Sequence, residues 1–68
     1  MKKTIEVSNS ILLMSLFIYS YKNGVNEMMV AMGLTLNEFM KDPDIMKELK
    51  KYDTYKEFEA ISKKDVKL

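Results

Sequence analysis

The sequence predicts an all-α fold: a small bundle of four to five short helices around a central, apolar first helix. Three observations support this prediction. The chain has only 68 residues, which is enough for one small domain. Its apolar residues recur at helical spacing, and Gly24, Gly33 and Pro43 stand where helices commonly end or begin.

Residues 1–7 are predicted to form an extended arm ahead of the helices. Within this arm, Lys3–Val7 alternates apolar and polar side chains, with Ile5 and Val7 on one side. Such alternation is typical of a short strand. A short N-terminal β arm is therefore the alternative to an irregular one.

The first helix is predicted over residues 8–23. Ser8 or Ser10 can cap its start by accepting a backbone N–H hydrogen bond, and Gly24 supplies the left-handed residue that follows many helices. Between them, Ile11–Tyr19 is apolar around most of the helical wheel. Because a helix without a polar face is normally buried all round, we expect this one at the centre of the bundle.

Two shorter helices, over residues 25–32 and 35–41, are predicted on either side of Gly33. Glycine is a poor residue for a helix interior, so Gly33 is expected to end the first of them. Thr35 and Glu38 match a capping box, in which the threonine oxygen and the glutamate each accept a backbone N–H hydrogen bond. The second of these helices is therefore predicted to begin at Thr35.

The last two helices are predicted over residues 43–51 and 54–64. Pro43 disfavours helical geometry at the residue before it and suits the first helical position, so Asp42 is expected to cap the helix that follows. Thr54 begins a second capping box, which predicts the start of the final helix.

Two groups of charged residues in the second half of the chain are consistent with these helices. Glu59 and Lys63 stand four residues apart, the spacing of a stabilising ion pair on a helix surface. Asp42, Asp44 and Glu48 form an acidic cluster that could hold a hard cation, but acids in a first turn usually complement the helix dipole. We therefore expect no metal site.

Composition argues against most catalytic chemistry. The chain has no cysteine and no histidine, which removes disulfides, thiolate ligands and the commonest general base. Its two glycines are too far apart to form a phosphate-binding loop. The sequence therefore predicts a protein that is not an enzyme and uses no cofactor or small-molecule substrate.

A chain of this size buries only about 60% of its extended surface. Without disulfides or a metal, a partner chain is the remaining common source of stability. The seven methionines suit an adaptable binding surface, although a methionine stripe at helical spacing also fits a core. We expect an apolar surface that binds a protein partner or a second copy, formed by Phe17, Tyr21, Met28, Met29 and Met32.

The functional hypothesis is a cytoplasmic, non-enzymatic interaction module: a small adaptor, inhibitor or regulator. The absence of cysteine fits a reducing compartment. Frequent lysine, isoleucine, asparagine and tyrosine are typical of AT-rich genomes, such as those of phages or mobile elements of low-GC bacteria.

Two alternatives come from the first half of the chain. The stretch "TIEVSNSILLMSLFIYSYKNGVNEMMVAM" resembles the ribbon-helix-helix layout, which implies a dimeric DNA-binding regulator whose strand carries Thr4 and Glu6 into the major groove. A net charge of +1 and the absence of arginine are atypical of nucleic-acid binders. The basic start and the apolar run Ile11–Tyr19 suggest a membrane-associated protein, but that run covers only about half a bilayer.

Overall fold

The computed structural model describes the backbone of residues 2–64 and the side chains of residues 4–63. Over this part of the chain the protein is all-α, as predicted, with no strand. Its four helices are α1 (Lys2–Asn23), α2 (Asn26–Met40), α3 (Pro43–Leu49) and α4 (Asp53–Lys64).

The first helix starts much earlier than residue 8, so the predicted extended or β arm is wrong for residues 2–7. Val7 is buried, and it falls in helical step with the buried residues Ser10, Met14 and Phe17. The core-facing side of α1 therefore extends back to Val7. Packing of this side favours a helix over the short strand that the alternation in residues 3–7 predicts. Ser10 does not cap the helix: its Oγ donates to the Glu6 carbonyl at 2.7 Å.

The end of α1 agrees with the prediction. Gly24 has a φ of 70°, the left-handed conformation expected after a helix. Its amide donates to the Tyr21 carbonyl at 3.3 Å, and the Val25 amide donates to the Ser20 carbonyl at 2.9 Å. These two bonds form a Schellman motif, which satisfies carbonyls that the helix itself leaves unpaired.

The predicted helices 25–32 and 35–41 are a single helix, α2, and Gly33 does not interrupt it. Gly33 and Leu36 are buried, and the neighbouring methionines on the same side are half-buried against the core. Burying this stripe offsets the roughly 1 kcal/mol that glycine costs inside a helix. The stripe repeats at helical spacing across the glycine: Met29, Met32, Gly33, Leu36 and Met40.

The first predicted capping box does not mark a helix start, whereas the second lies one residue from the observed start of the last helix, which was predicted over residues 54–64. Thr35 lies in the middle of α2, where its Oγ1 donates back to the Ala31 carbonyl at 3.0 Å. Thr54 lies inside the first turn of α4, which begins at Asp53. The similar pentapeptides TLNEF (residues 35–39) and TYKEF (residues 54–58) therefore occupy different positions in their helices.

The start of α3 confirms the prediction for Asp42. Its Oδ1 accepts a hydrogen bond from the Asp44 amide at 2.9 Å, and Pro43 occupies the first turn. The helix ends at Leu49, two residues before the predicted boundary. Asp42 thus caps α3 at its junction with α2.

The first helix contacts each of the other three helices, as predicted for a central helix, but they pack against one side of it only. α2 also contacts α3. The core has contributions from all four helices, and its buried apolar residues are Val7, Met14, Phe17, Ile18, Leu36, Ile45, Leu49, Tyr55, Phe58 and Ile61.

Candidate interaction surface

The structure divides the predicted binding residues between core and surface. Phe17 is fully buried against the other helices, so it is a core residue and does not belong to an exposed patch. Tyr21, Met29 and Met32 are half-buried and pack against the core. Only Met28 is exposed, at 37%. These five residues therefore do not form one binding surface on the isolated chain.

The prediction that α1 is buried on every side is wrong. Its core-facing side carries Met14 and Phe17, which are fully buried, whereas the opposite side meets solvent. Three short helices cover only one side of a helix of 22 residues. The uncovered side carries large apolar residues, which we name the outer stripe: Ile5 (68% exposed), Leu12 (60%), Leu16 (36%) and Tyr19 (61%).

Helical spacing places the outer stripe on one line. Its members follow each other after seven, four and three residues, which confines them to an arc of about 60° on the helical wheel. Met14 and Phe17 lie on the far side of that wheel. Leu12, Leu16 and Tyr19 therefore form an apolar surface that faces away from the core, with Ile5 two turns earlier on the same line.

Charge is sparse along this helix. Among its described side chains only Glu6 and Lys22 are charged. Lys22 Nζ lies 3.3 Å from Glu57 Oε2 on α4. Glu6 is half-buried, and its Oε2 is buried without a hydrogen-bond partner within residues 4–63. The polar side chains beside the outer stripe are neutral: Ser8, Asn9, Ser15 and Asn23.

Serines on α1 are satisfied by their own helix. The Oγ atoms of Ser10, Ser15 and Ser20 donate to the carbonyls four residues earlier at 2.7, 3.1 and 2.8 Å. Ser10 and Ser20 are fully buried, and an unpaired hydroxyl there would cost stability. The hydroxyls of Ser10 and Ser20 are therefore part of the packing, whereas Ser15 is exposed.

A second, smaller apolar area lies on α2. Val30 and Leu34 are exposed and stand four residues apart, on the side of α2 that faces away from Gly33 and Leu36. They provide two adjacent side chains, against four in the outer stripe. Val30 and Leu34 are therefore suited to control substitutions that match those in the outer stripe.

A shallow groove of about 480 Å³ separates the start of α1 from α3. Its charged residues, Asp44, Lys47 and Glu48, all come from α3. Asp44 already contributes its amide to the cap at Asp42. The lining combines these with Thr4, Val7, Ser8 and Tyr52, a set that contains no nucleophile paired with a base.

One titratable group in the described part of the chain has a clearly shifted pKa. Burial raises the pKa of Tyr55 above its usual 10.0, and the hydrogen bond to Glu59 and the charge of that carboxylate raise it further. Tyr55 Oη donates to Glu59 Oε2 at 3.1 Å. Lys63 Nζ lies 3.9 Å from Glu59 Oε1, which confirms the predicted pair. This row of three side chains ties successive turns of α4 together.

No family model matches the chain, and no curated protein or solved structure matches it significantly. Among the described helices, none has both the length and the apolar character needed to cross a membrane. The exposed surface of α1 is therefore the feature that indicates a function.

Sequence reasoning missed the outer stripe, although a signal for it is present. The spacing from Ile5 through Leu12 and Leu16 to Tyr19 is helical throughout. Assigning residues 1–7 to an arm removed Ile5 from the pattern. Treating α1 as apolar on all sides then left no reason to separate an exposed line from a buried one.

Proposed function

We propose that this protein is a non-enzymatic protein–protein interaction module: a small adaptor, inhibitor or regulator that binds through the outer stripe of α1. The observation that carries the proposal is the exposure of Leu12 and Tyr19, 60% and 61%, in the middle of the longest helix. Single exposed apolar residues are ordinary. Leu12, Leu16 and Tyr19 form a patch on successive turns, with Ile5 further along the same line, and such patches commonly mark interaction sites.

Binding at this surface is energetically reasonable. Full burial of one large apolar side chain stabilises a complex by about 1.5–3 kcal/mol. A partner can cover Leu12 and Leu16 without disturbing Met14 or Phe17, because those core residues face the other way. The protein can therefore bind as an already folded domain, which limits the entropic cost of association.

The DNA-binding alternative has less support. A ribbon-helix-helix regulator needs a strand near residues 3–7, and this segment is the first part of α1. DNA affinity also depends on cations that contact phosphates. The side chains along the outer stripe are apolar or neutral, and the chain has no arginine.

The membrane-associated alternative is weaker for a related reason. Helices that lie on a bilayer usually flank a broad apolar face with lysine or arginine. The lysines of α1 stand at its ends, Lys2 and Lys3 at the start and Lys22, which pairs with Glu57, near the last turn, so none flanks Leu12 and Leu16. We place the protein in the cytoplasm, because a chain without cysteine fits a reducing compartment. Its amino-acid usage is typical of a phage or mobile element of an AT-rich host.

Affinity capture with the tagged full-length chain tests this function. The variant Leu12→Gln with Leu16→Gln removes two members of the outer stripe at exposed positions where glutamine keeps good helix propensity. The matched control is Val30→Gln with Leu34→Gln on α2. Circular dichroism and thermal unfolding establish that both variants are folded.

We expect at least one protein, either another chain or an untagged copy, to be recovered roughly ten-fold less with the α1 variant. The α2 control should recover the same protein as well as the wild type does. Identical recovery of every captured protein by the wild type and both variants would overturn the proposal.

A further inference from the structure

We infer that the partner of the outer stripe is a second copy of this chain, with α1 of one copy packed antiparallel against α1 of the other. This inference rests on the proposed function, because it names the partner of the same surface. It is supported by the spacing of the exposed residues, by the absence of charge among them and by the direction of the helix dipoles.

The spacing on the exposed side of α1 is that of a helix–helix seam. Six exposed residues succeed one another at alternating separations of four and three, the pattern of core positions in a coiled coil. The pattern runs for about 27 Å along the helix. We name these residues the seam: Ile5, Asn9, Leu12, Leu16, Tyr19 and Asn23.

A seam of this kind selects another helix as its partner. Its apolar line is narrow, with asparagine at two of six places, whereas a lipid surface favours a wide apolar face with basic flanks. Polar asparagine at core positions of a coiled coil restricts register and partner choice at some cost in stability. The seam therefore fits a specific helix better than it fits a bilayer.

Self-pairing follows from the charges beside the seam. A two-fold interface brings a surface against itself, so like charges on that surface would repel. The seam has none, and the exposed flanking residues near its middle, Ser8 and Ser15, are neutral. Leu13 and Ser20 on the other edge are covered by the protein's own helices. A different partner helix is usually selected by complementary charges at such positions.

The orientation follows from the helix dipoles. An antiparallel pair places the positive end of each α1 dipole beside the negative end of the other, whereas a parallel pair places like ends together. Glu6 and Lys22 lie on opposite edges of the seam, so they do not meet across an antiparallel interface.

This orientation fixes the residue pairs. Leu12 of each copy lies opposite Leu16 of the other, which places four leucines around the two-fold axis. Asn9 lies opposite Tyr19 of the other copy, and Ile5 opposite Asn23. The apolar contacts are therefore concentrated at the centre and the polar ones lie further out, as in most specific interfaces.

The dimer is expected to be weak and reversible. Stable interfaces bury about 1,200–2,000 Å² in total, and one helix pair of this length falls at or below the lower bound. We expect a dissociation constant on the order of 10 μM to 1 mM.

Sedimentation equilibrium of the full chain tests the dimer across that range of concentration. The variant Leu12→Gln with Leu16→Gln is expected to weaken dimerisation roughly ten-fold or more. The control Val30→Gln with Leu34→Gln should leave it within about three-fold of the wild type. A chain that stays monomeric throughout, or that dimerises equally well in both variants, would overturn the inference.

Disulfide trapping tests the orientation, and the chain has no cysteine of its own to interfere. A Leu12→Cys chain and a Leu16→Cys chain are oxidised separately and as a mixture in a glutathione buffer. Antiparallel pairing predicts that the mixed disulfide exceeds the share that random pairing of the two chains would give. A preference for the Leu12→Cys homodisulfide contradicts antiparallel pairing.

The outcomes separate this inference from the proposed function. If the wild type is monomeric but the α1 variant still loses capture of a different protein, self-pairing is wrong and the interaction module stands. If the wild type co-sediments with anionic lipid vesicles and the α1 variant does not, and no protein is captured, both are wrong. Dimerisation that depends on Leu12 and Leu16 supports both.

Discussion

The rings of Phe17 on α1 and Phe58 on α4 pack edge to face, with their centroids 4.9 Å apart and their planes inclined by 73°. Both side chains are buried in the core. Aromatic pairs in this geometry gain about 0.5–1.5 kcal/mol beyond the burial of their area. The pair therefore stabilises the packing of α4 against α1.

A double-mutant cycle on this pair measures that gain. Phe17→Leu and Phe58→Leu each remove a ring but keep an apolar side chain of moderate size. We expect a coupling energy of about 0.5–1.5 kcal/mol from urea unfolding of the two single variants and the double variant. Losses of stability that simply add would show that the two rings contribute through burial alone.

Thr35→Ala distinguishes a continuous α2 from a helix that starts at residue 35. In the middle of an exposed helix surface, alanine should be neutral or stabilising by up to about 0.5 kcal/mol, because its helix propensity is higher. Loss of a capping threonine would instead destabilise by about 0.5–2 kcal/mol. Chemical unfolding gives the sign.

Asp42→Ala is the matched control for Thr35→Ala. Asp42 accepts a hydrogen bond from the Asp44 amide, so its removal should destabilise the protein by about 0.5–2 kcal/mol. If both substitutions destabilise equally, residue 35 caps a helix after all.

Gly24→Ala tests the turn between α1 and α2. A Cβ at Gly24 would have no heavy atom within 4 Å, so the cost comes only from the φ of 70°. We expect a loss of about 1–2 kcal/mol in the free energy of unfolding. Gly24→Asn should lose less, because asparagine tolerates the left-handed conformation better than alanine. Equal stability of all three proteins would contradict the left-handed turn.

Tyr55→Phe tests the raised pKa through the pH dependence of stability. The folded state holds the Tyr55 proton more tightly than the unfolded state, whose pKa is near 10.0. The resulting stabilisation is fully present below pH 10 and is lost as pH rises through the raised pKa. The stability of the wild type should therefore fall more steeply at alkaline pH than that of the variant. Parallel curves would show that Tyr55 has an ordinary pKa.

Local chemistry could be predicted from the sequence. Gly24 and Asp42 act through their own backbone geometry and through bonds to residues close in sequence, so their roles are visible without the fold. The same is true of Glu59 and Lys63, which need only one turn of helix to meet.

Features that depend on long-range packing could not be predicted in this way. Gly33 and Thr35 carry local signals for a break and a start, but burial of the α2 stripe outweighs both. The exposure of Leu12 depends on how much of α1 the other three helices can cover, and a count of apolar residues does not contain that information. The helical spacing of the outer stripe is therefore visible in the sequence, but the packing of the other helices decides that this side of α1 stays exposed.

Because α4 is attached mainly through α1, we expect local unfolding of the domain to begin at α4. α2 and α3 contact each other as well as α1, whereas α4 makes few contacts with either of them within the described chain. The last helix can therefore detach as a unit while the other three keep their mutual packing, uncovering Phe17 to water. Amide protons of α4 should exchange through this partial opening, at a lower free energy than those in the centre of α1.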